Sequence, residues 1–480
     1  MILTLVGRLI QFGIMFMSLK LMTTLLSPVQ MGRVALVTTG IAFFALFLVN
    51  PVGMYINRRL HAWFDSGCAR GYMHLYALYL IAVGAFAVLA CLLASGAGFK
   101  LAGLEPEWIV VLVGGSLFFN TAIQTLIPSL NMLGRELSFT LLNVLTLSIS
   151  LFFSLIFSHY FDAAAEYWIA GTLTGQMLFS CVAYLVFFRK YPAVSNIPRP
   201  ASSQAISVFE FSWPIAITVG LQWLHMQGYR FVLAEEFGLA EFGLFAVGYS
   251  VAAALMSAGE SILTTWFQPA FYRAINSDDE SVCNSAWSVY AGLMLPFSLL
   301  GVSALIAISH ILPRLILGAA YQNAGNFVIV AAIAEWGRML VGIFGLNAHS
   351  NMATRQLIWP NALGALIATV SFVVCVYIFG MGVQSAPICA AIGCVVIVVA
   401  LLRADKRGEA LMNLNLRRLT SQATALLFVA FLITHLLSLL PYQSLAATML
   451  SLLAVGCTWL AFAFLMRGDL KGLSTYGRAV

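Results

Sequence analysis

Long apolar runs, broken by short polar or Pro/Gly-containing stretches, recur along the whole chain. Read at about 20 apolar residues per membrane span, they predict fourteen helices. These fall near residues 5–26, 33–57, 72–95, 107–130, 137–158, 166–188, 209–234, 242–266, 286–310, 325–348, 357–379, 383–402, 420–440 and 444–466. The first run, "MILTLVGRLIQFGIMFMSLKLM", has no basic leader and no small-residue cleavage site, so it reads as a retained span and not a signal peptide. The fold class that follows is all-α and polytopic.

Composition agrees. The 480 residues are 61% hydrophobic and 9% charged, with a mean hydropathy of +0.94, whereas soluble domains carry about 25% charged residues. Lys and Arg are distributed unevenly between the two sets of loops. Arg58, Arg59, Arg70, Arg135, Arg189, Lys190, Arg199, Arg273, Arg355, Arg403, Lys406, Arg407, Arg417 and Arg418 fall on one side, joined by Arg467, Lys471 and Arg478 of the tail. Only Arg33, Lys100 and Arg314 fall on the other. The positive-inside bias places both termini in the cytoplasm, as an even span count also requires. The +6 net charge is mostly this bias and does not argue for nucleic acid. The largest cytoplasmic breaks, 189–210 and 403–418, are too short for a nucleotide-binding domain, and no GxxxxGK[ST] occurs.

The eight cysteines are scattered without CxxC or Cys/His ligand spacing. They read as small buried hydrophobes in preference to disulfides or metal ligands. No cofactor is implied.

The chain also repeats itself. Placing Gly32 on Gly243, an offset of 211, lays "LSPVQMGRVALV" over "FGLAEFGLFAVG", and the same offset carries spans 1, 2 and 3 onto 7, 8 and 9. Six spans per unit give both copies one orientation, a parallel repeat about an axis along the membrane normal. The expected organisation is an N-terminal lobe 1–190, a cytoplasmic linker 191–208 and a C-terminal lobe 209–402. A basic loop 403–419, two further helices within 420–466 and a tail 467–480 follow. Two such lobes would enclose a cavity open alternately to each side.

Polar residues inside the spans are the candidate chemistry, because Arg or Lys at a helix centre costs roughly 2.5–3.5 kcal/mol on insertion scales. Span 1 holds Arg8, Gln11 and Lys20; span 7 holds Gln222, His225, Tyr229 and Arg230. Span 8 has a Ser/Thr stripe with Glu260 at its edge, and span 10 places Glu335, Arg338 and His349 on one face. Each has a structural alternative. Glu335 and Arg338 at i,i+3 can neutralise each other, Arg8, Lys20 and Arg230 can snorkel to headgroups, and His225 can be a helix–helix contact. Arg58 and Arg59 can be topology determinants. The stripe Thr146, Ser150 and Ser154 in span 5 reads as helix packing. Taken together, the cations of spans 1, 7 and 10 suit an anionic substrate, since guanidinium binds phosphate bidentately.

The sequence resembles the multidrug/oligosaccharidyl-lipid/polysaccharide exporter superfamily, and most of all its O-antigen and exopolysaccharide flippase branch. The resemblance lies in "LLSPVQMGRVALV", "NPVGMYINRR", "FSWPIAITVGLQWL...YRFVLAEEFGLAEFGLFAVGYSVA" and "PNALGALIATVSFVVCVYIFGMGVQSAPICAAIG". It departs from the family in having Tyr229 where relatives often carry an acid before the span-7 arginine. It also has "GVQSAP" at the entry to span 12, where small residues are usual. The resemblance implies alternating-access transport of undecaprenyl-diphosphate-linked oligosaccharide, with the last two helices bordering a groove for the lipid tail. Arg8, Lys20, Arg230, Glu335 and Arg338 would bind substrate, with Arg58 and Arg59 at the cytoplasmic mouth; Glu260, His225 and Tyr229 would serve coupling or gating. Membrane lipids, a polysaccharide polymerase and glycosyltransferases would be partners. The alternative is a cation-coupled multidrug or metabolite exporter, which Glu260 would serve although span 1 has no acid. A polysaccharide polymerase or ligase would need a large periplasmic loop that the pattern does not contain.

Overall fold

The computed structural model describes residues 2–98, 102–132, 135–189, 202–275, 280–350 and 354–404, with short helical stretches between 425 and 460. The linker up to residue 201, the basic loop beyond 404, most of the two spans expected within 420–466 and the tail lie outside the described residues. Every regular element among the described residues is a helix, and eleven stretches are long and apolar enough to cross a membrane. The protein is a multi-pass helical membrane protein. The chain divides into two compact units, Met1–Gly243 and Leu244–Val480.

The first unit opens with α1 (Ile2–Leu25) and α2 (Pro28–Phe44). Helix α2 starts ahead of the expected residue 33 because Ser27 is extended and its side chain accepts the Gln30 N–H, with Pro28 opening the first turn. A π-helical turn, Ala45–Val49, passes directly into α3 (Asn50–Asp65). Then come α4 (Ala69–Gly96) and a fourth span built from α5 (Pro106–Ile109), π turns at Val110–Gly114 and Ser116–Asn120, and α6 (Thr121–Met132). Helices α7 (Glu136–Tyr160) and α8 (Ala165–Arg189) complete six spans.

Helix α4 shows how burial sorts residues here. Tyr76, Leu80, Val83 and Ala87 recur at helical spacing and are buried, while Leu78, Phe86, Leu89 and Leu93 are exposed. An apolar outer face of this kind suits lipid. The buried face joins Leu60, Ile127, Leu130 and Phe187 in one core. Helices α7 and α8 meet through small residues: a Cβ on Gly171 or Gly175 would strike the backbone of Ser154 or Ser150. Ser154 Oγ donates to the Trp168 carbonyl at 2.9 Å and Ser150 Oγ to that of Thr172 at 3.1 Å. The span-5 stripe is therefore a helix-packing seam.

The seventh helical run is longer than the expected 209–234. It comprises α9 (Ser202–Trp223), a π turn at Leu224–Gly228 and α10 (Tyr229–Glu236). It is not among the eleven apolar spans, because Glu210, Gln222, His225, Gln227, Arg230, Glu235 and Glu236 make it too polar. Gly238, at φ +80°, lets the chain turn straight into α11 (Gly238–Ile275). At α11's start Gly243 fits closely on the Pro28 carbonyl, and Gly32 on that of Leu239. The contact is reciprocal: each glycine faces the carbonyl four residues ahead of the other.

Helix α11 continues into the second unit. Its 38 residues span about 57 Å at about 1.5 Å per residue, longer than the ~30 Å hydrocarbon core. The unit continues with α12 (Glu280–Ala307), α13 (Leu312–Ile316) and α14 (Gly325–Ser350). After α15 (Ile358–Val373) and a π turn, Val374–Ile378, it reaches α16 (Ser385–Ala404). Phe271, Trp287, Tyr290, Met294 and Phe344 form its core, with Trp287 Nε1 donating to the Ile343 carbonyl at 3.0 Å. Gly364 sets α15 against Ile397 and the Gly393 carbonyl, and Gly337 sets α14 against Cys394.

Candidate functional site

The candidate charges form separate groups. In the first unit, Arg8 on α1 donates to Gln11 Oε1 at 3.3 Å, and its guanidinium lies 5.6 Å from the centre of the Phe139 ring on α7. Both partners are neutral. Gln11 is 8% exposed, and among the described residues its buried Nε2 has no hydrogen-bond partner, nor does Thr140 Oγ1 on the facing turn of α7. Gly7 lies against Thr140, so α1 and α7 bring together a guanidinium and two unspent hydrogen-bonding groups. Thr140 has no charge or spacing that singled it out in the sequence.

Lys20 lies twelve residues further along α1, about 18 Å at the helical rise. It is half-buried and does not belong to the Arg8 group.

Arg230 reaches α2. Its Nη1 donates to Thr39 Oγ1 at 3.2 Å, and Trp223 Nε1 donates to the Thr39 carbonyl at 3.3 Å. Thr39 is 1% exposed. It was not a sequence candidate, because nothing in the pattern links residues 191 positions apart. His225 and Tyr229 are buried at 4% and 7%. An uninterrupted helix would put Gln222, His225 and Tyr229 on one face and Arg230 to one side of it. The π turn at Leu224–Gly228 widens the ring by one residue and breaks that phase.

Arg59 is exposed, and its guanidinium lies 5.9 Å from the centre of the Tyr55 ring. Tyr55 is fixed in turn by Phe211 and by a 3.1 Å hydrogen bond with Ser207 Oγ. The side chains of Arg58 and His349 lie outside the described residues.

The second unit holds a different arrangement. Arg338 Nε donates to Glu335 Oε2 and Arg338 Nη2 to Glu260 Oε2, each at 2.7 Å, while the Tyr249 hydroxyl donates to Glu335 Oε1 at 2.8 Å. The side chains keep 36% exposure at Arg338, 27% at Glu260 and 7% at Glu335. Two carboxylates against one guanidinium leave the cluster formally negative. Arg338, expected to bind substrate, gives two of its guanidinium nitrogens to acids from α11 and α14. The i,i+3 pair is real, but Glu260 makes it a triad. Glu260 also borders a cavity of about 170 Å³ whose other walls include Met256, Gly259, Ser298 and Met339.

Outside the spans, His310 is packed against Gly325 in the α12–α14 connection. Burial, and then the nearby Arg314, lower its pKa from the ordinary histidine range.

Half-buried cations in apolar helices, small-residue seams and a partly buried ionic triad are the polar features of this polytopic membrane protein. The chain belongs to the polysaccharide biosynthesis protein family, which it matches over residues 21–325. No curated protein matches it. Among solved structures it resembles the lipid II flippase MurJ in an inward closed conformation, at 13% identity and a TM-score of 0.66, over 98% of this chain and 100% of that one. It also resembles an inward-facing multidrug resistance MATE family transporter of the MOP superfamily, at 18% identity and a TM-score of 0.62, over 85% and 96% of the two chains. A third likeness is to a MOP superfamily transporter from Pyrococcus furiosus, at 16% identity and a TM-score of 0.57, over 86% and 96%. The fold is the one these three solved proteins share.

Proposed function

We propose that this protein moves an undecaprenyl-diphosphate-linked oligosaccharide from the cytoplasmic to the periplasmic leaflet of the inner membrane, for O-antigen or exopolysaccharide assembly. The observation that carries this reading is Arg8. It is a half-buried guanidinium within a membrane helix, its partners are the neutral Gln11 amide and the Phe139 ring, and Gln11 Nε2 and Thr140 Oγ1 stand nearby without partners among the described residues. An anionic, oxygen-rich group supplies both the charge and the acceptors this arrangement lacks. Arg230, steadied by Thr39, and Lys20 would meet the same substrate at other depths, and Arg59 would gather headgroups at the cytoplasmic mouth. Both termini would be cytoplasmic, and glycosyltransferases and a polymerase would act before and after transport.

The Glu260–Arg338–Glu335 triad favours a second role within the same cycle. A negative cluster beside a cavity suits a proton or cation that couples transport, and it keeps a cation-coupled exporter as the alternative function. Surface-polymer assembly in cells carrying Arg8→Ala with Arg230→Ala separates the two. Loss of polymer from inserted protein supports the flippase. Full polymer, or acquired drug resistance from the wild-type chain in a pump-deficient strain, contradicts it.

A further inference from the structure

The eight cysteines are scattered in sequence, yet the fold brings two of them together. Cys375 lies in the π turn that ends the α15 span, and Cys389 lies one turn into α16. Their sulfurs are 3.8 Å apart. Cys389 is 2% exposed, whereas Cys375 is half-buried and therefore the approachable member.

The backbone explains the meeting. Gly364 lets α15 lie directly on Ile397 and the Gly393 carbonyl of α16, so the axes run close together. At the far end the π turn shifts the hydrogen bonding: Phe379 N–H bonds the Val374 carbonyl at 3.2 Å, and Met381 N–H bonds the Cys375 carbonyl at 2.9 Å. Gly380, at φ +61°, then reverses the chain. The loop that follows is short, with Ser385 Oγ bonded to the Gly382 carbonyl at 2.9 Å. Cys375 is thus turned towards Cys389 across a tight helix-to-helix bend.

Sidedness matters as well. Arg355 precedes α15 and Arg403 ends α16, so under the orientation proposed above the bend faces the periplasm. That compartment permits disulfides, while the cytoplasm keeps thiols reduced. From the span ends each sulfur is only about 5–6 Å along its helix axis.

We propose that Cys375 and Cys389 are a disulfide-forming pair, oxidised by thiol–disulfide exchange with a small external disulfide. The Cys375 thiolate attacks the disulfide RSSR, forming a mixed disulfide and releasing one RS⁻, which takes up the proton that Cys375 lost. The Cys389 thiolate then attacks the Cys375 sulfur, expelling the second RS⁻, which is protonated in turn. Both cysteines are oxidised, the reagent is reduced to two RSH, and one S–S bond ties the ends of α15 and α16. The partly exposed residue is the entry point and the buried one the resolving thiol.

The test treats full-length protein in native membranes with 2,2′-dipyridyl disulfide. The sample is then denatured, alkylated with N-ethylmaleimide, digested and examined by mass spectrometry. The expected result is a peptide pair linked through Cys375 and Cys389, two hydrogens lighter than the reduced pair. In Cys389→Ser the mixed pyridyl disulfide should persist on Cys375. A stable pyridyl adduct on Cys375 of the wild-type protein with Cys389 alkylated, or both residues alkylated, would overturn the proposal. The chemistry is read without transport, so failure here is distinct from failure of the flippase assignment.

Discussion

Gly32 and Gly243 are a reciprocal pair: a Cβ on either would meet the carbonyl preceding the other by four residues, that of Leu239 or of Pro28. Backbone carbonyls at helix starts cannot swing aside as a side chain can. The neighbouring atoms are also close, with a Gly243 Cβ falling 2.9 Å from the Gly32 nitrogen. Gly243→Ala should therefore lower thermal stability in detergent by about 1–3 kcal/mol, in the range of overpacked cores. Gly32→Ala should do the same. The double variant should cost less than the sum, since either change alone separates the two helix starts. A Gly243→Ala protein with unaltered melting would show that the start of α11 does not bear on α2.

Thr39 links α2 to Arg230. Thr39→Val keeps the shape and removes the acceptor, so transport should fall several-fold while expression and insertion hold. Thr39→Ser should retain activity. Equal loss in both variants would point to packing, not to the hydrogen bond.

Removing Arg338 leaves Glu335, whose side chain is only 7% exposed, beside Glu260 with no cation between them. Breaking a fully buried pair costs about 3–5 kcal/mol. The cost here should fall below that, because Arg338 keeps 36% exposure and solvent screens it. Adding Glu335→Gln to Arg338→Ala should restore part of the loss. Thermal unfolding of the single and double variants measures both effects. A milder outcome for Arg338→Ala than for Glu335→Gln would contradict the triad.

His310 adds a pH dependence. Its folded-state pKa is lowered by burial and then by Arg314, so the unfolded chain binds the proton more readily. Stability from this group is present above about pH 6.5, the ordinary histidine value, and declines as pH falls through the lower folded value. Melting temperature should drop on acidification below pH 6.5, and His310→Gln should flatten that drop. An identical acid profile for the variant would remove His310 from the account.

Much of this architecture was legible in the sequence, and the reasons are physical. Lipid imposes long apolar runs, so the first six spans and, among the described residues, those between 238 and 403 lie close to where hydropathy places them. Gly32 and Gly243, aligned in the sequence, do meet in the fold, where close backbone approach tolerates no side chain. Residues distant in sequence were not legible. Glu260 and Arg338 lie 78 positions apart, and a single chain gives no sign that α11 delivers an acid to α14. Thr39 is one of several threonines in apolar runs, and only the fold distinguishes it. The π turns were also invisible, since no residue type specifies them, yet the one at Leu224–Gly228 resets the face on which Arg230 stands.

Translocation of undecaprenyl-diphosphate-linked oligosaccharide across proteoliposomes reports most directly on the central claim, that the cations of α1 and α10 handle an anionic lipid headgroup. Wild-type protein should move the lipid, and Arg8→Ala with Arg230→Ala should reduce the rate at least tenfold. Arg8→Lys with Arg230→Lys should recover part of it. Wild-type rates from the alanine double variant would contradict the account.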